Sequence, residues 1–319
     1  MAIFGGELTS PFRHSELFAS GRSSLRRIIE ILGSTPRILI PNYVCPVVFN
    51  EFEKTHAQIQ LYSVSNDFEI DLNGIDFEKF DCLYVVHYFG KLTNLPIGLP
   101  NNLLIIHDCV FLPSVDEAFH DSSNKQIGFN SFRKIFPCAE GSVLVSNFTY
   151  PQINDVIFNR QNEFSKHKMT GLRLKQRYIE SKSHDIVLEH EYLDHLLLGE
   201  KIIDKSTEIE TTTDGFALNV SKSLGKSIHG LIERLNRLEV VASYSQNRSF
   251  KPSFACFYPI QINSHAYDQI KKELVKESIY LPYFWPISDE LKLKGLVEKT
   301  DHLFIPLAPE NNKKNFFKC

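Results

Sequence analysis

The 319-residue chain lacks most of the signals that would assign it to a specialised class. Its six cysteines (Cys45, Cys82, Cys109, Cys138, Cys256, Cys319) form no CxxC pair and keep no regular spacing, which argues against a zinc site and a disulfide framework. No metal centre is expected, and a reducing cytoplasm fits best. Positive charge is scarce: Lys+Arg number 35 against 38 Asp+Glu, for a formal charge of -3. No basic block stands out beyond Lys313-Lys314 in the tail, so nucleic acid is excluded as the main partner. The opening Met1-Ala2-Ile3-Phe4-Gly5-Gly6-Glu7 lacks the basic and apolar regions of a signal peptide, and no apolar run reaches membrane-spanning length. Internal repeats and extended low-complexity stretches are also missing.

What is present reads as a large globular protein, 43% hydrophobic and long enough for one large domain with a smaller companion. Strand-like runs at Arg37-Ile40, Gln58-Tyr62, Cys82-His87 and Leu103-Asp108 alternate with helix-like segments, the pattern of βαβ units and a mostly parallel sheet. The last two runs are almost continuously apolar, as a sheet covered on both faces requires. Pro41 and Pro46 bracket Tyr43 and put it on a loop. In open α/β sheets ligands bind outside the carboxyl ends of the strands, where Tyr43, His87 and Asp108 would all lie. A strand-end histidine is more often a satisfied core group than a catalyst. An acid ending so apolar a strand needs a cation or several donors, which singles out Asp108. Residues from about 150 to 212 read as charged surface helices leading out of a large domain, 1–212. The polar break Thr211-Thr212-Thr213-Asp214-Gly215 serves as linker to a small α+β domain, 213–319, with helices at Ile228–Leu238 and Ala266–Lys276 and a strand over Phe254–Ile260.

Two stretches carry chemistry. Leu25, Ile28, Ile29 and Leu32 share one helical stripe, and Ser20-Gly21-Arg22-Ser23-Ser24 at its start places small residues, hydroxyls and an arginine where free N–H groups point outward. That is the make-up of an anion site, although a serine that merely caps the helix explains it too. The second stretch is Ser131-Phe132-Arg133-Lys134-Ile135-Phe136-Pro137. A lysine in a short apolar loop loses hydration and can form a Schiff base with an aldehyde, while Ser131 and Arg133 could face a phosphate. Ser131-x-x-Lys134 as a serine nucleophile with its base finds no accompanying SDN or KTG.

Together these elements resemble the DegT/DnrJ/EryC1/StrS sugar aminotransferases over roughly Phe18 to Asn147, with a weaker echo near Ile279 to Pro286. Ser20-Gly21-Arg22-Ser23-Ser24-Leu25 is similar to the family's phosphate turn, Ile40-Pro41-Asn42-Tyr43-Val44-Cys45-Pro46 to its proline-flanked loop, and Val86-His87-Tyr88-Phe89-Gly90 to its strand-end histidine. Ile106-His107-Asp108 resembles the strand ending in the cofactor aspartate, and Ser131 to Gly141 the Schiff-base lysine with its acidic-glycine turn. The resemblance implies a fold-type-I α/β enzyme using pyridoxal phosphate as a homodimer, with active sites at the subunit interface. It makes Lys134 the cofactor-bearing residue, Asp108 the partner of the ring nitrogen, and Gly21, Arg22, Ser23, Ser24 and Ser131 the phosphate cradle. Tyr43 and His87 would cover or flank the ring, with His87 a further catalytic candidate. The expected reaction moves an amino group, from glutamate, onto a keto sugar carried on a nucleotide. Loss of water from a sugar on the same cofactor, and a non-catalytic binding role on the same scaffold, are the alternatives. The chain departs from the family's pattern in having Phe111 where a glutamine is common, Ser142 where a second glycine is common, and an end at Phe316-Phe317-Lys318-Cys319 where typical members continue.

Overall fold

The computed structural model describes residues 14–33, 35–120, 123–135, 138–151, 162–181, 185–206, 208–209, 257–262, 264–276, 281–282 and 284–306. The linker at 211–215, the boundary at 212/213, the helix expected at Ile228–Leu238 and the tail lie outside them, as do Phe136 and Pro137.

The apolar runs become strands of one eight-stranded sheet, in the order β1-β8-β7-β6-β5-β2-β3-β4. These are β1 (His14–Phe18), β2 (Arg37–Pro41), β3 (Gln58–Val64), β4 (Ile70–Asp71), β5 (Cys82–Val86), β6 (Leu104–Cys109), β7 (Gln126–Asn130) and β8 (Ser142–Ser146). The five strands from β7 through β3 run parallel, while β8, which follows β7, pairs with it antiparallel and is itself paired antiparallel by β1. The expectation of a mostly parallel sheet therefore holds for its centre. From β2 the chain moves outward to β3 and then returns to β5 on β2's other side, so strand order reverses between β2 and β5. A crevice opens at such a reversal, at the carboxyl ends of the strands. Register brings those ends level, with Asp108 opposite Val86 and Cys109 opposite Asn130.

The helices are α1 (Gly21–Leu32), α2 (Pro46–Glu53), the single turn α3 (Phe132–Ile135), the pair α4 (Glu163–Ser181) and α5 (Ile186–Lys205), α6 (Ser264–Lys276) and α7 (Asp289–Leu293). Proline at its start and Cys45 as N-cap begin α2 just beyond β2. A two-stranded ribbon, β9 (Phe257–Gln261) with β10 (His302–Pro306), completes the described fold. Lys299 clasps the carboxyl-terminal segment to the sheet. It is buried, and its Nζ donates to the Val64 and Ser65 carbonyls and to Asn66 Oδ1 at 2.8–3.2 Å.

A chain of buried polar groups threads the core beside the crevice. The Thr93 N–H donates to His87 Nδ1 at 3.1 Å, which puts the His87 proton on Nε2. His87 Nε2 then donates to His107 Nδ1, and His107 Nε2 to Gln126 Oε1, each at 3.1 Å. Gln126 closes the chain by donating to the His120 carbonyl at 2.7 Å. Burial holds His87, His107 and His120 below the ordinary imidazole value, His107 at about 3. Below pH ~6.5 the unfolded chain thus binds more protons than the folded one, and stability drains by up to ~1.4 kcal/mol per pH unit for each imidazole. Asp108, held up at about 6, works in the opposite sense and offsets part of this. Urea midpoints should fall steadily between pH 7 and 5, and His107→Gln should show the shallower fall. A midpoint flat over that range would contradict the neutral, buried assignment.

Candidate functional site

At the amino end of α1 the capping reading is realised, and atoms other than those of the cap are left to the anion reading. Ser20 is the N-cap, its Oγ accepting the Ser23 N–H at 3.1 Å and lying 3.0 Å from Ser23 Oγ. Ser142 Oγ donates to the Asn130 carbonyl at 2.5 Å, so the Ser24 hydroxyl, 2.7 Å away, must spend its own proton on Ser142. The expectation that Ser24 donates to a phosphate is corrected accordingly: its hydroxyl ties α1 to β8. Ser142, at the position of a common glycine, thereby joins α1, β7 and β8. Gly21 lies so near the end of β7 that an added Cβ would stand 3.3 Å from the Asn130 carbonyl and 3.4 Å from Ser131 Cβ. The close approach brings the free N–H groups of α1 up to Ser131.

Lys134 sits one turn beyond, in α3, its N–H bonded to the Ser131 carbonyl at 3.0 Å. The expected loop is thus a single helical turn. Among the described residues its Nζ makes no hydrogen bond or ion pair, and its near neighbour is the Phe111 ring, with the centroid at 5.6 Å. The side chain keeps accessible surface yet is closely surrounded by protein, and that desolvation, with Arg133 beside it, lowers its pKa. Cys45, Glu200 and Asp108 pull in the other direction. Asp108 is 4% exposed at the end of β6. Burial raises its carboxyl to about 6, against donation from Tyr84 Oη to Oδ2 at 2.7 Å, donation from the Val110 N–H to Oδ1 at 3.2 Å, and the charge of Lys134. Amine and carboxylate, 26 positions apart in the chain, thus share one electrostatic neighbourhood. Cys45 belongs to it too, since Lys134, Asp108 and Arg22 all act on its thiol. No spacing in the sequence marks Cys45. Only the N-cap of α2, brought beside the ends of β5 and β6, reveals it.

A cluster of cations backs the cradle. Glu200 of α5 accepts from Arg133 at 2.7 Å and Lys168 at 2.6 Å, with Arg22 at 3.8 Å, and Arg22 also pairs with Asp204. These neighbours hold Glu200 well below the usual carboxylate range although burial opposes them. Arg22 Nε and Arg133 Nε remain buried without a hydrogen-bond partner among the described residues. Helices expected to lead away from the large domain instead supply this acid to the site.

Two expected residues take other places. Tyr43 is fully buried: its hydroxyl donates to the Phe284 carbonyl at 2.6 Å, and its ring packs on Tyr88 and Trp285. It is a pillar of the aromatic core and has no exposed face to cover a ring. His87 is equally buried, with Thr93 and His107 as its partners, and belongs to the polar chain of the core rather than to the Lys134 neighbourhood. The wall beside Lys134 is aromatic: Phe111 packs against Phe89, Phe257 and Phe284 with centroids 5.3–5.9 Å apart.

No family model matches the chain, and no curated protein matches its sequence. Solved structures do. The apo form of Spr1654 from Streptococcus pneumoniae, described as a candidate sugar aminotransferase, superposes with a TM-score of 0.59 at 13% identity, covering 95% of this chain and 83% of that one. Helicobacter pylori PseC, an aminotransferase of pseudoaminic acid biosynthesis, superposes with a TM-score of 0.58 at 15% identity, over 95% of this chain and 83% of that one. The sugar aminotransferase CalS13 from Micromonospora echinospora gives 0.54 at 11% identity, over 92% and 82%. This chain has the sugar-aminotransferase fold. Spr1654 has also been solved in PLP and PMP forms.

The cation cluster yields a direct check. Glu200→Gln leaves Arg133, Lys168 and Arg22 without their shared carboxylate, and since Glu200 is about a third exposed the cost should be about 1–3 kcal/mol. Sulfate should then raise the melting temperature of the variant more than that of the native protein. Equal sulfate responses would mean that the three cations do not form an anion cradle.

Proposed function

We propose that the chain is a pyridoxal-phosphate-dependent aminotransferase acting on a keto sugar, with the sugar carried on a nucleotide and glutamate as donor, in amino-sugar or surface polysaccharide biosynthesis. The observation that carries the reading is the desolvated amine of Lys134, without a hydrogen bond or ion pair among the described residues, beside the buried carboxylate of Asp108 and one turn from the amino end of α1. The residues fit the cofactor on grounds of their own. Gly21 leaves room for close backbone approach, and among the described residues Arg22 and Arg133 retain unpartnered buried N–H groups and Asp108 has no cationic hydrogen-bond partner.

When bound, pyridoxal phosphate would supply an electron sink for the carbon that loses its proton. Lys134, whose lowered pKa favours the neutral amine, would hold the cofactor through Nζ and, when not so engaged, would move the proton at the substrate carbon. Asp108 would hold the proton on the ring nitrogen. Gly21 and Arg22, through the first-turn backbone of α1, and Ser23 and Ser131, through their hydroxyls, would hold the phosphate, and Arg22 and Arg133 would neutralise it. The resemblance extends the proposal to a cytoplasmic homodimer with active sites at the subunit interface, and to a large domain over 1–212 with a small one over 213–319.

Incubation with pyridoxal phosphate should give a visible absorption band that borohydride bleaches, fixing the label on Lys134. Lys134→Ala should give no band, and a band that persists would end the assignment. Glutamate should convert the band to the pyridoxamine form in the native protein. A bleachable band indifferent to every amino donor would instead favour elimination or a binding role.

A further inference from the structure

We propose that Tyr84 is a positioning residue for Asp108, its hydroxyl fixing the carboxylate so that a free lone pair faces the protonated nitrogen of the cofactor's ring. The inference rests on the cofactor reading above. Tyr84 lies mid-strand in β5, opposite Ile106 of β6, so that Asp108 is its diagonal neighbour on the same face. The side chain is fully buried, and its hydroxyl donates to Asp108 Oδ2 at 2.7 Å. Burial and the adjacent carboxylate push the phenol well above its ordinary value, so it stays protonated and can only donate to Asp108. The ring itself is braced, with Phe52 packed edge-on at 5.9 Å and Tyr62 Oη donating to the Tyr84 carbonyl at 2.8 Å.

The Val110 N–H takes one lone pair of the other oxygen, leaving further acceptor sites on a carboxylate whose plane two donors have set. Those donors matter because burial alone drives the carboxyl toward its neutral form, which cannot pair with a cationic ring. Among the described residues the groups acting on Asp108 are Tyr84 from β5, Lys134 from α3, Cys45 ahead of α2, Tyr88 just beyond β5 and Cys109 at the end of β6. Lys134 is the single cation among them, and it would be occupied by the cofactor. The Tyr84 hydroxyl is then the strongest support left to the ionised form. A tyrosine serving only to fill the core would pack as well without that oxygen.

The test reads Asp108 itself, with carboxyl-13C aspartate in the cofactor-free protein and the resonance assigned by its loss in Asp108→Asn. The native titration midpoint should lie near 6. Tyr84→Phe should raise it by about one pH unit, and 3-fluorotyrosine at position 84, of nearly the same shape but a stronger donor, should lower it. The fluorinated protein decides the matter if Tyr84→Phe does not fold, and midpoints unmoved in the variants that fold would overturn the proposal. In parallel, the dissociation constant for pyridoxal phosphate at pH 7 should rise several-fold in Tyr84→Phe, with the gap narrowing at pH 9. Equal affinities and equal pH profiles would overturn it as well. Shifted midpoints in a protein that forms no band would leave the carboxylate's positioning standing and remove the cofactor reading instead.

Discussion

A carboxylate buried at the end of an apolar strand is the constraint that the rest of the site answers. Placing Asp108 at 4% exposure beside Tyr84, Tyr88 and Cys109 costs solvation, and two hydrogen bonds plus a nearby ammonium recover only part of it, since the carboxyl stays near 6. A protein that needed only a stable core would put an apolar residue there. Retaining an acid in that position makes sense where a cation arrives, because an arriving charge is worth more in a poorly screened crevice than in water. The reversal of strand order between β2 and β5 supplies the crevice.

Opposite polarity governs the neighbouring cradle. The amino end of α1, Arg22, Arg133, Lys134 and Lys168 concentrate positive potential, and Glu200 with Asp204 offset it in the structure as described. Thus the Asp108 carboxylate favours a cation and the neighbouring arginines an anion, with the Lys134 amine in the same neighbourhood. A zwitterionic ligand with a ring nitrogen and a phosphate matches this polarity. The α4–α5 pair matters because it brings the compensating acids, so its docking and the charge balance of the cradle are one property.

Much of this was legible in the sequence, for identifiable reasons. Near-continuous apolar runs can be satisfied only by strands covered on both faces, which is why β5 and β6 were read correctly and Asp108 stood out at the end of one of them. Gly21 and Lys134 are weak signals by themselves, and their roles follow from the resemblance to the sugar aminotransferases. Other features depend on partners far along the chain. His14-Ser15-Glu16-Leu17-Phe18 has no apolar alternation to mark a strand, and β1 exists because the edge of β8 accepts it. Nothing local says that the Ser24 proton goes to Ser142, or that Tyr43 spends its hydroxyl on Phe284 across 241 positions. His87 ended up as a link between Thr93 and His107 for the same reason: a strand-end imidazole can face a ligand or the core, and packing from distant residues decides.

Phe111 is where the sequence breaks most sharply with the pattern it resembles, and the structure gives that break a physical consequence. Its ring stands 5.6 Å from the Lys134 ammonium and joins Phe89, Phe257 and Phe284 in one aromatic wall. A glutamine there would offer the lysine a polar neighbour, whereas a phenyl ring supports the ammonium by cation–π attraction yet removes water from it. Desolvation is the leading cause of the lowered Lys134 pKa, and the Phe111 ring is part of the protein around the amine. Two of its rings, from Phe257 and Phe284, belong to the carboxyl-terminal segment that Lys299 clasps to the sheet. The ring beside an amine on α3 is therefore packed against a segment more than 120 positions later.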